Sequence, residues 1–268
     1  MGSGTSGTDR ELSLDAQALA RSLVRPGGLW REITVVAETG STNTDLLRDA
    51  EAGAAEGRVL AAEAQTAGRG RMGRHWQSMP GAALTFSVLL RPAGVPASLR
   101  GWVPLLAGAA AVSALRDVAR VEAALKWPND VLVGERKLAG ILAEQAGDAI
   151  VAGIGMNFSA LPAGPAAARA TCVEAEAPAR VSRERLLLAV LRELEWGYRR
   201  WTADPGGCGL REQYMRMCAT MGRNVRVELP GGRMLTGTAA SVDAGGRLVV
   251  SDAGALTAVS AGDVVHVR

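Results

Sequence analysis

The chain has 268 residues, of which 48% are hydrophobic and 21% charged, a balance that excludes disordered and fibrous classes and allows one large domain or a medium domain with a small companion. A formal charge of +3 and a pI near 9.0 permit an anionic partner without naming it. The three cysteines, Cys172, Cys208 and Cys218, are widely spaced and contain no CxxC pair, so neither a disulfide framework nor a zinc site is indicated, and a reducing cytoplasm fits.

The first ten residues, MGSGTSGTDR, are small and polar and predict a disordered tail without a targeting segment. Asp15 caps a first helix whose Leu19, Leu23 and Val24 keep helical spacing, and Pro26-Gly27-Gly28 ends it. Ile33, Val35 and Val36 predict a strand; Ser41 and Thr42 then stand at cap positions ahead of a helix carrying Leu46, Leu47 and Ala50. Strands follow at Val59 to Ala64 and Ala83 to Leu90, with a loop rich in Gly and Arg between them. An apolar helix from about Trp102 to Val118, with Pro104 in its first turn, is shorter than a membrane span and reads as buried. Short strands near Leu125, at Val131 to Val133 and at Leu138 to Glu144 come next, the last two joined by a turn at Gly134-Glu135, and one more spans Ile150 to Gly155.

The stretch from Ala160 to Arg180 is so rich in Ala and Pro that it predicts a surface excursion with no regular core element. Helical periodicity resumes after Ser182, where Leu186, Leu187, Val190, Leu191, Leu194 and Tyr198 form one apolar stripe. Alternating runs at Val225 to Leu229, Met234 to Thr238, Leu248 to Val250 and Val264 to Val267 are separated by Pro230-Gly231-Gly232, Asp243 to Gly246, Asp252 to Gly254 and Ala261 to Asp263, the pattern of a small separate β-barrel. Periodicity alone gives an α+β class.

The densest chemical signal is Gly68-Arg69-Gly70-Arg71-Met72-Gly73-Arg74, three guanidiniums and three glycines between two strands. No Lys-Ser or Lys-Thr follows the glycines, so it is not a Walker A loop. Glycines let backbone N–H groups approach an anion, and arginines present planar forks that match phosphate or carboxylate oxygens. Composition leaves a solvated basic loop, a nucleic-acid contact and a small-molecule anion site all open.

In chain order stand Ser41-Thr42-Asn43, Gln65, the arginine loop with Trp76, Lys126-Trp127-Pro128-Asn129-Asp130, Lys137-Leu138-Ala139-Gly140-Ile141 and Gly153-Ile154-Gly155-Met156-Asn157. This series resembles the catalytic domain of the biotin protein ligases, whose recurring features are a Ser-Thr-Asn start, a GRGRxGRxW loop and KWPND, KxxGI and GxGxN segments. The resemblance runs from about Trp30 to Asn157 and continues more weakly into the C-terminal strands. About forty residues precede Ser41, too few for the winged helix-turn-helix that some members carry, so no DNA partner is expected. The family often has Ser where Cys172 stands.

The resemblance implies a mixed β-sheet catalytic domain with helices packed against it over residues 11–217, and a small Src-homology-like barrel over residues 218–268. It implies ATP and Mg²⁺ as cofactors, biotin as substrate, and a biotin carboxyl carrier domain of an acyl-CoA or pyruvate carboxylase as partner. The expected enzyme is cytoplasmic, makes no membrane contact, holds no protein-ligated metal and is a monomer or weak homodimer. Biotin's carboxylate would attack the α-phosphate of ATP, with Arg69, Arg71 and Lys137 around the two anions and Asp130 orienting or deprotonating the incoming lysine. Ser41, Thr42, Asn43 and Gln65 match positions on the biotin side, where a ureido group needs both donors and acceptors, with Gly68, Gly70 and Gly140 giving close approach to the ring. Arg74, Trp76, Lys126, Asn129 and Asn157 fall on the ATP side, Trp76 as the aromatic that stacks on adenine. A lipoate or octanoate transferase is the alternative within the same superfamily, and a nucleic-acid-binding module the alternative outside it.

Overall fold

Alternating burial along the strands sorts the chain into two sheets. The computed structural model describes residues 14–76, 79–161, 164–229, 233–260 and 262–267. The amino-terminal tail, the Pro230-Gly231-Gly232 turn and Ala261 lie outside these residues. Strands β1 (Glu32–Thr39), β2 (Arg58–Gln65), β3 (Ala83–Leu90), β4 (Ala123–Lys126), β5 (Asp130–Val133), β6 (Arg136–Ala146) and β7 (Ala149–Asn157) form a mixed sheet in the order β1-β2-β3-β7-β6-β5-β4. The pair β1 and β2 is parallel, and the other ladders of this sheet are antiparallel.

Both central strands, β3 and β7, are buried along their whole length. They have protein on both faces, which is why they read as continuous apolar runs. Helices α1 (Ala16–Leu23), α2 (Thr42–Glu51), α3 (Trp102–Val118), α4 (Val173–Glu176), α5 (Arg183–Ala203) and α6 (Leu210–Met217) complete this part. Leu90 and Ile150 join the large apolar cluster that contains α3 and α5, whereas their neighbours Leu89 and Val151 join a second cluster with Leu46 and Ala50 of α2. Successive strand residues point to opposite faces, so α2 lies on one side of the sheet and the α3–α5 pair on the other. The helical stretch Ala97–Val118 is long and apolar enough to cross a membrane, yet it is mostly buried and packs on α5 and the sheet. Each fully buried Leu there contributes about 1.5–3 kcal/mol relative to an exposed one.

The second sheet contains β8 (Asn224–Glu228), β9 (Met234–Val242), β10 (Leu248–Asp252), β11 (Ala255–Val259) and β12 (Asp263–His266), all antiparallel, in the order β11-β10-β9-β8-β12. The described ladders end at β11 and β12, so none of them closes this sheet into the expected barrel.

Two elements escape the sequence pattern. Helix α6 is only eight residues long and buries Leu210 and Tyr214, too short a stripe to read as periodic. Strand β11 is exposed at four of its five positions and carries no inward alternation. The expected surface excursion at Ala160 to Arg180 requires a correction. Ala170, Thr171, Cys172 and Val173 are buried, Thr171 N–H donates to the Lys137 carbonyl at 2.9 Å, and α4 follows at once. The segment is held by backbone pairing to β6, which Ala/Pro composition does not reveal.

Candidate active site

The sheet, the arginine loop and the β4–β5 turn enclose a cavity of about 650 Å³. Its first wall grows from the start of α2. Ser41 is the N-cap, with its Oγ 3.5 Å from the Thr44 N–H, so capping falls to one hydroxyl and its neighbour is released for other partners. The Thr42 N–H and hydroxyl both approach Gln65 Oε1, at 2.8 and 3.1 Å, and Thr42 Oγ1 lies 2.7 Å from Ser87 Oγ. Gln65 is thereby fixed with its carbonyl oxygen occupied and its amide nitrogen as the remaining donor. The amide of Asn43 donates to the Leu142 carbonyl at 3.1 Å and to Glu144 at 2.9 Å, while its Oδ1 accepts from Ser87 at 2.6 Å. The expectation for Asn43 was a ligand contact; it lines the cavity with its polar groups already engaged inside the wall.

The arginine loop is a small folded-back segment. Trp76 N–H donates to the Gly68 carbonyl at 2.9 Å, Gly70 N–H donates to the Arg74 carbonyl at 2.7 Å, and Arg69 bridges His75 antiparallel. Its tip, Arg71–Gly73, is a single 3-10 turn in which Met72 and Gly73 have φ of 56° and 71°. Gly73 accepts that left-handed backbone without strain. Two side chains tie the loop to the sheet: Arg69 to Glu144 at 2.9 Å, and Arg71 to Asn129 Oδ1 at 2.9 Å. Asn129 also donates to the Ile141 carbonyl at 3.2 Å, so it acts as a holder of Arg71.

The floor is made by absence of side chains. The Trp76 indole lies against β7 and β6, where a Cβ on Gly155 would stand 2.3 Å from Cε2 and one on Gly140 would stand 3.5 Å from Cζ3. Its Nε1 is buried and has no hydrogen-bond partner. At the far end, Lys137 Nζ lies 2.5 Å from Asp130 Oδ1, and Lys126, Arg74 and Arg169 add further cations to the lining. Opposite charges about 4 Å apart interact with on the order of 4 kcal/mol at an effective dielectric of 20, so a bound anion here gains most when water is excluded. The amide of buried Asn157 donates to the Thr171 carbonyl at 3.0 Å, and its nitrogen lies 3.5 Å from the Lys137 carbonyl, so both contacts run through Nδ2.

Every residue assigned a biotin, nucleotide or catalytic role from the sequence lines the cavity except Gly68. A Cβ on Gly68 would lie 2.3 Å from the Trp76 carbonyl oxygen and 2.8 Å from Gln65 Nε2, so the glycine is required there by the folded-back loop itself. The sequence reading missed Arg169 and Ala170, from the segment read as an excursion, and Val264 and Val265 of β12. Nothing in their local pattern marks them; the Lys137 to Ala170 bridge and the seating of the second sheet bring them in. His75 is exposed in the loop, and His266 Nε2 lies 3.2 Å from Thr220 Oγ1, which accepts from the Trp127 N–H at 3.1 Å. Burial first, then Lys126 and Arg223, push the His266 pKa down against the opposing pull of Glu135.

Residues 35–159 match the biotin/lipoate A/B protein ligase family, and residues 220–267 match the biotin protein ligase C-terminal domain. A biotin–acetyl-CoA-carboxylase ligase of Mycobacterium tuberculosis is 44% identical over 97% of this chain and 100% of its own length. A bifunctional ligase/repressor of Escherichia coli is 40% identical over 47% of this chain and 40% of its own length. Among solved structures, a biotin protein ligase from Aquifex aeolicus in complex with biotin and ATP superposes with a TM-score of 0.76 at 26% identity, covering 89% of this chain and 100% of that one. One from Leishmania major in complex with biotinyl-5-AMP superposes with a TM-score of 0.61 at 26% identity, covering 89% and 99%.

Proposed function

Because this chain belongs to the biotin protein ligases of the biotin/lipoate A/B family, we infer that its cavity joins biotin to ATP and passes the biotinyl group to a protein lysine. It is an ATP-dependent ligase: the biotin carboxylate attacks the α-phosphate, pyrophosphate leaves, and biotinyl-5'-AMP forms. The lysine amine then attacks the acyl carbon and AMP departs. One observation supports this reading above the rest. A hydrogen-bonding wall of Ser41, Thr42 and Gln65, with the donors and acceptors a ureido group needs, opens into the same cavity as Arg69, Arg71, Arg74, Lys126 and Lys137.

In this reading Arg71 and Lys137 stabilise the charge that develops as carboxylate meets phosphate, Arg71 held by Asn129 and Lys137 by Asp130. Arg69 offers its remaining N–H groups to the same anions. Gly70 and Gly140 leave room for the bicyclic ring, and Trp76 offers a flat wall for stacking on adenine. Lys126, Arg74 and Asn157 face the nucleotide phosphates. Magnesium, when bound with the nucleotide, would neutralise phosphate charge; Asn157, whose amide nitrogen is held by the Thr171 carbonyl, would offer it the side-chain oxygen. Once the adenylate is formed, Asp130 would orient or deprotonate the acceptor amine.

The acceptor we propose is a biotin carboxyl carrier domain of an acyl-CoA or pyruvate carboxylase, in the cytoplasm, with the enzyme a monomer or weak homodimer. We place the catalytic unit at residues 11–217 and the C-terminal unit at residues 218–268; the change from helices to short antiparallel strands after α6 supports that division. Given Mg-ATP, biotin and a carrier domain, the protein is expected to raise the carrier's mass by one biotinyl group. Lys137→Ala and Arg71→Ala should each slow pyrophosphate release on the order of a hundredfold, with the thermal melt unchanged. Labelling by lipoate in place of biotin, or near-normal rates in both variants, would overturn the assignment.

A further inference from the structure

Glu144 sits on β6 behind the cavity wall and belongs to none of the recognised motifs. Its two oxygens are divided between two parts of the site. Oε1 forms an ion pair with the Arg69 guanidinium of the loop, N to O 2.9 Å, and Oε2 accepts from Asn43 of α2 at 2.9 Å. From Asn43 the contacts run unbroken to Ser87 at 2.6 Å, from Ser87 to Thr42 at 2.7 Å, and from Thr42 to Gln65 at 2.8 Å. A Cβ on Gly153 would come within 2.1 Å of Asn43 Oδ1, so β7 carries a glycine where this relay crosses the sheet.

We propose that Glu144 is a positioning residue that clasps the arginine loop to the ring-binding wall, so that occupancy of the wall and closure of the loop reinforce each other and the adenylate is retained until transfer. This rests on the ligase reading above. The chemistry supports it: a carboxylate satisfies a guanidinium on one oxygen and an amide on the other only when both partners hold their places. When a ureido group engages Thr42 and Gln65, it restrains Asn43 through Ser87, and a restrained Asn43 keeps Glu144 aimed at Arg69. Arg69 is 51% exposed and Glu144 20%, so solvent screens the ion pair and the clasp is expected to be worth a modest factor.

Glu144→Gln keeps the shape and the acceptor for Asn43 but removes the charge that holds Arg69. Trypsin reports on the loop directly, because it cuts after Arg69, Arg71 and Arg74. In the ligand-free full-length protein, Glu144→Gln should speed cleavage at these sites roughly threefold to tenfold, with the thermal melt unchanged. Loss of pre-formed biotinyl-adenylate from the enzyme should accelerate by a similar factor, while the KM for biotin moves little. Glu144→Ala, which removes both arms, should raise that KM as well. Cleavage and adenylate release in Glu144→Gln within about twofold of wild type would overturn the clasp. The two readings fail separately: a wild-type protein that forms no adenylate sinks the ligase assignment, whereas the ligand-free digestion still judges Glu144.

Discussion

A Cβ at position 155 would stand 2.3 Å from Trp76 Cε2, closer than any side chain tolerates. The indole is held on this floor by packing alone, since its Nε1 has no partner. Gly155→Ala is therefore expected to lift Trp76 out of place instead of unfolding the sheet, at a cost of about 1–3 kcal/mol. That displacement should raise the KM values for biotin and ATP about tenfold with the fold retained; unchanged KM values would show that Trp76 is no wall of the site. At this scale the motifs were readable because their chemistry is local: Ser41 caps its own helix, and Arg69 and Arg71 sit in a glycine loop. The duties of Asn129, Asn157 and Glu144 were not readable, because each holds a segment distant in the chain.

Periodicity located the elements that bury a stripe. Leu186, Leu187, Val190, Leu191, Leu194 and Tyr198, the stripe expected of α5, are all in the core, and α3 occupies the span expected for it. It failed where an element owes its place to backbone pairing, as at Ala170 to Val173 and in β11. Strand β12 shows what such placement does. His266 on β12 reaches Thr220, and Thr220 accepts from the backbone of Trp127, one residue from Lys126 in the cavity wall. With the Thr220 oxygen receiving the Trp127 N–H, its hydroxyl hydrogen is free to donate to His266 Nε2, which suits a neutral ring. Burial, Lys126 and Arg223 hold the folded-state pKa below the unfolded value near 6.5. Between those two values the unfolded chain binds more protons than the folded one, so stability falls as pH drops through that window. Urea unfolding of wild type against His266→Gln should show a steeper loss below about pH 6.5 for wild type; parallel pH profiles would remove His266 from this role.

One apolar cluster runs through the whole molecule. Val225, Val227, Leu248 and Val250 of the second sheet belong to the same cluster as α3, α5 and the central strands. Tryptophans pin the junction: Trp102 Nε1 donates to the Ala244 carbonyl at 2.7 Å, and Trp127 Nε1 donates to the Gly246 carbonyl at 3.0 Å. Because Trp127 belongs to the segment that also supplies Asn129 and Asp130, the second sheet cannot part from the first without loosening the cavity wall. Val264 and Val265 reach that cavity directly. A shared core of this kind should give a single unfolding transition, with far-ultraviolet circular dichroism and tryptophan fluorescence coinciding in denaturant. Trp127→Phe keeps most of the packing but leaves the Gly246 carbonyl without its donor, a loss of about 1–3 kcal/mol. Stability should drop by that amount while the transition stays single, because the bond lies inside one cooperative unit and not between two independent ones. An early transition assigned to the C-terminal strands alone would mean instead that the junction is a docking contact, and that the cavity keeps its shape without it.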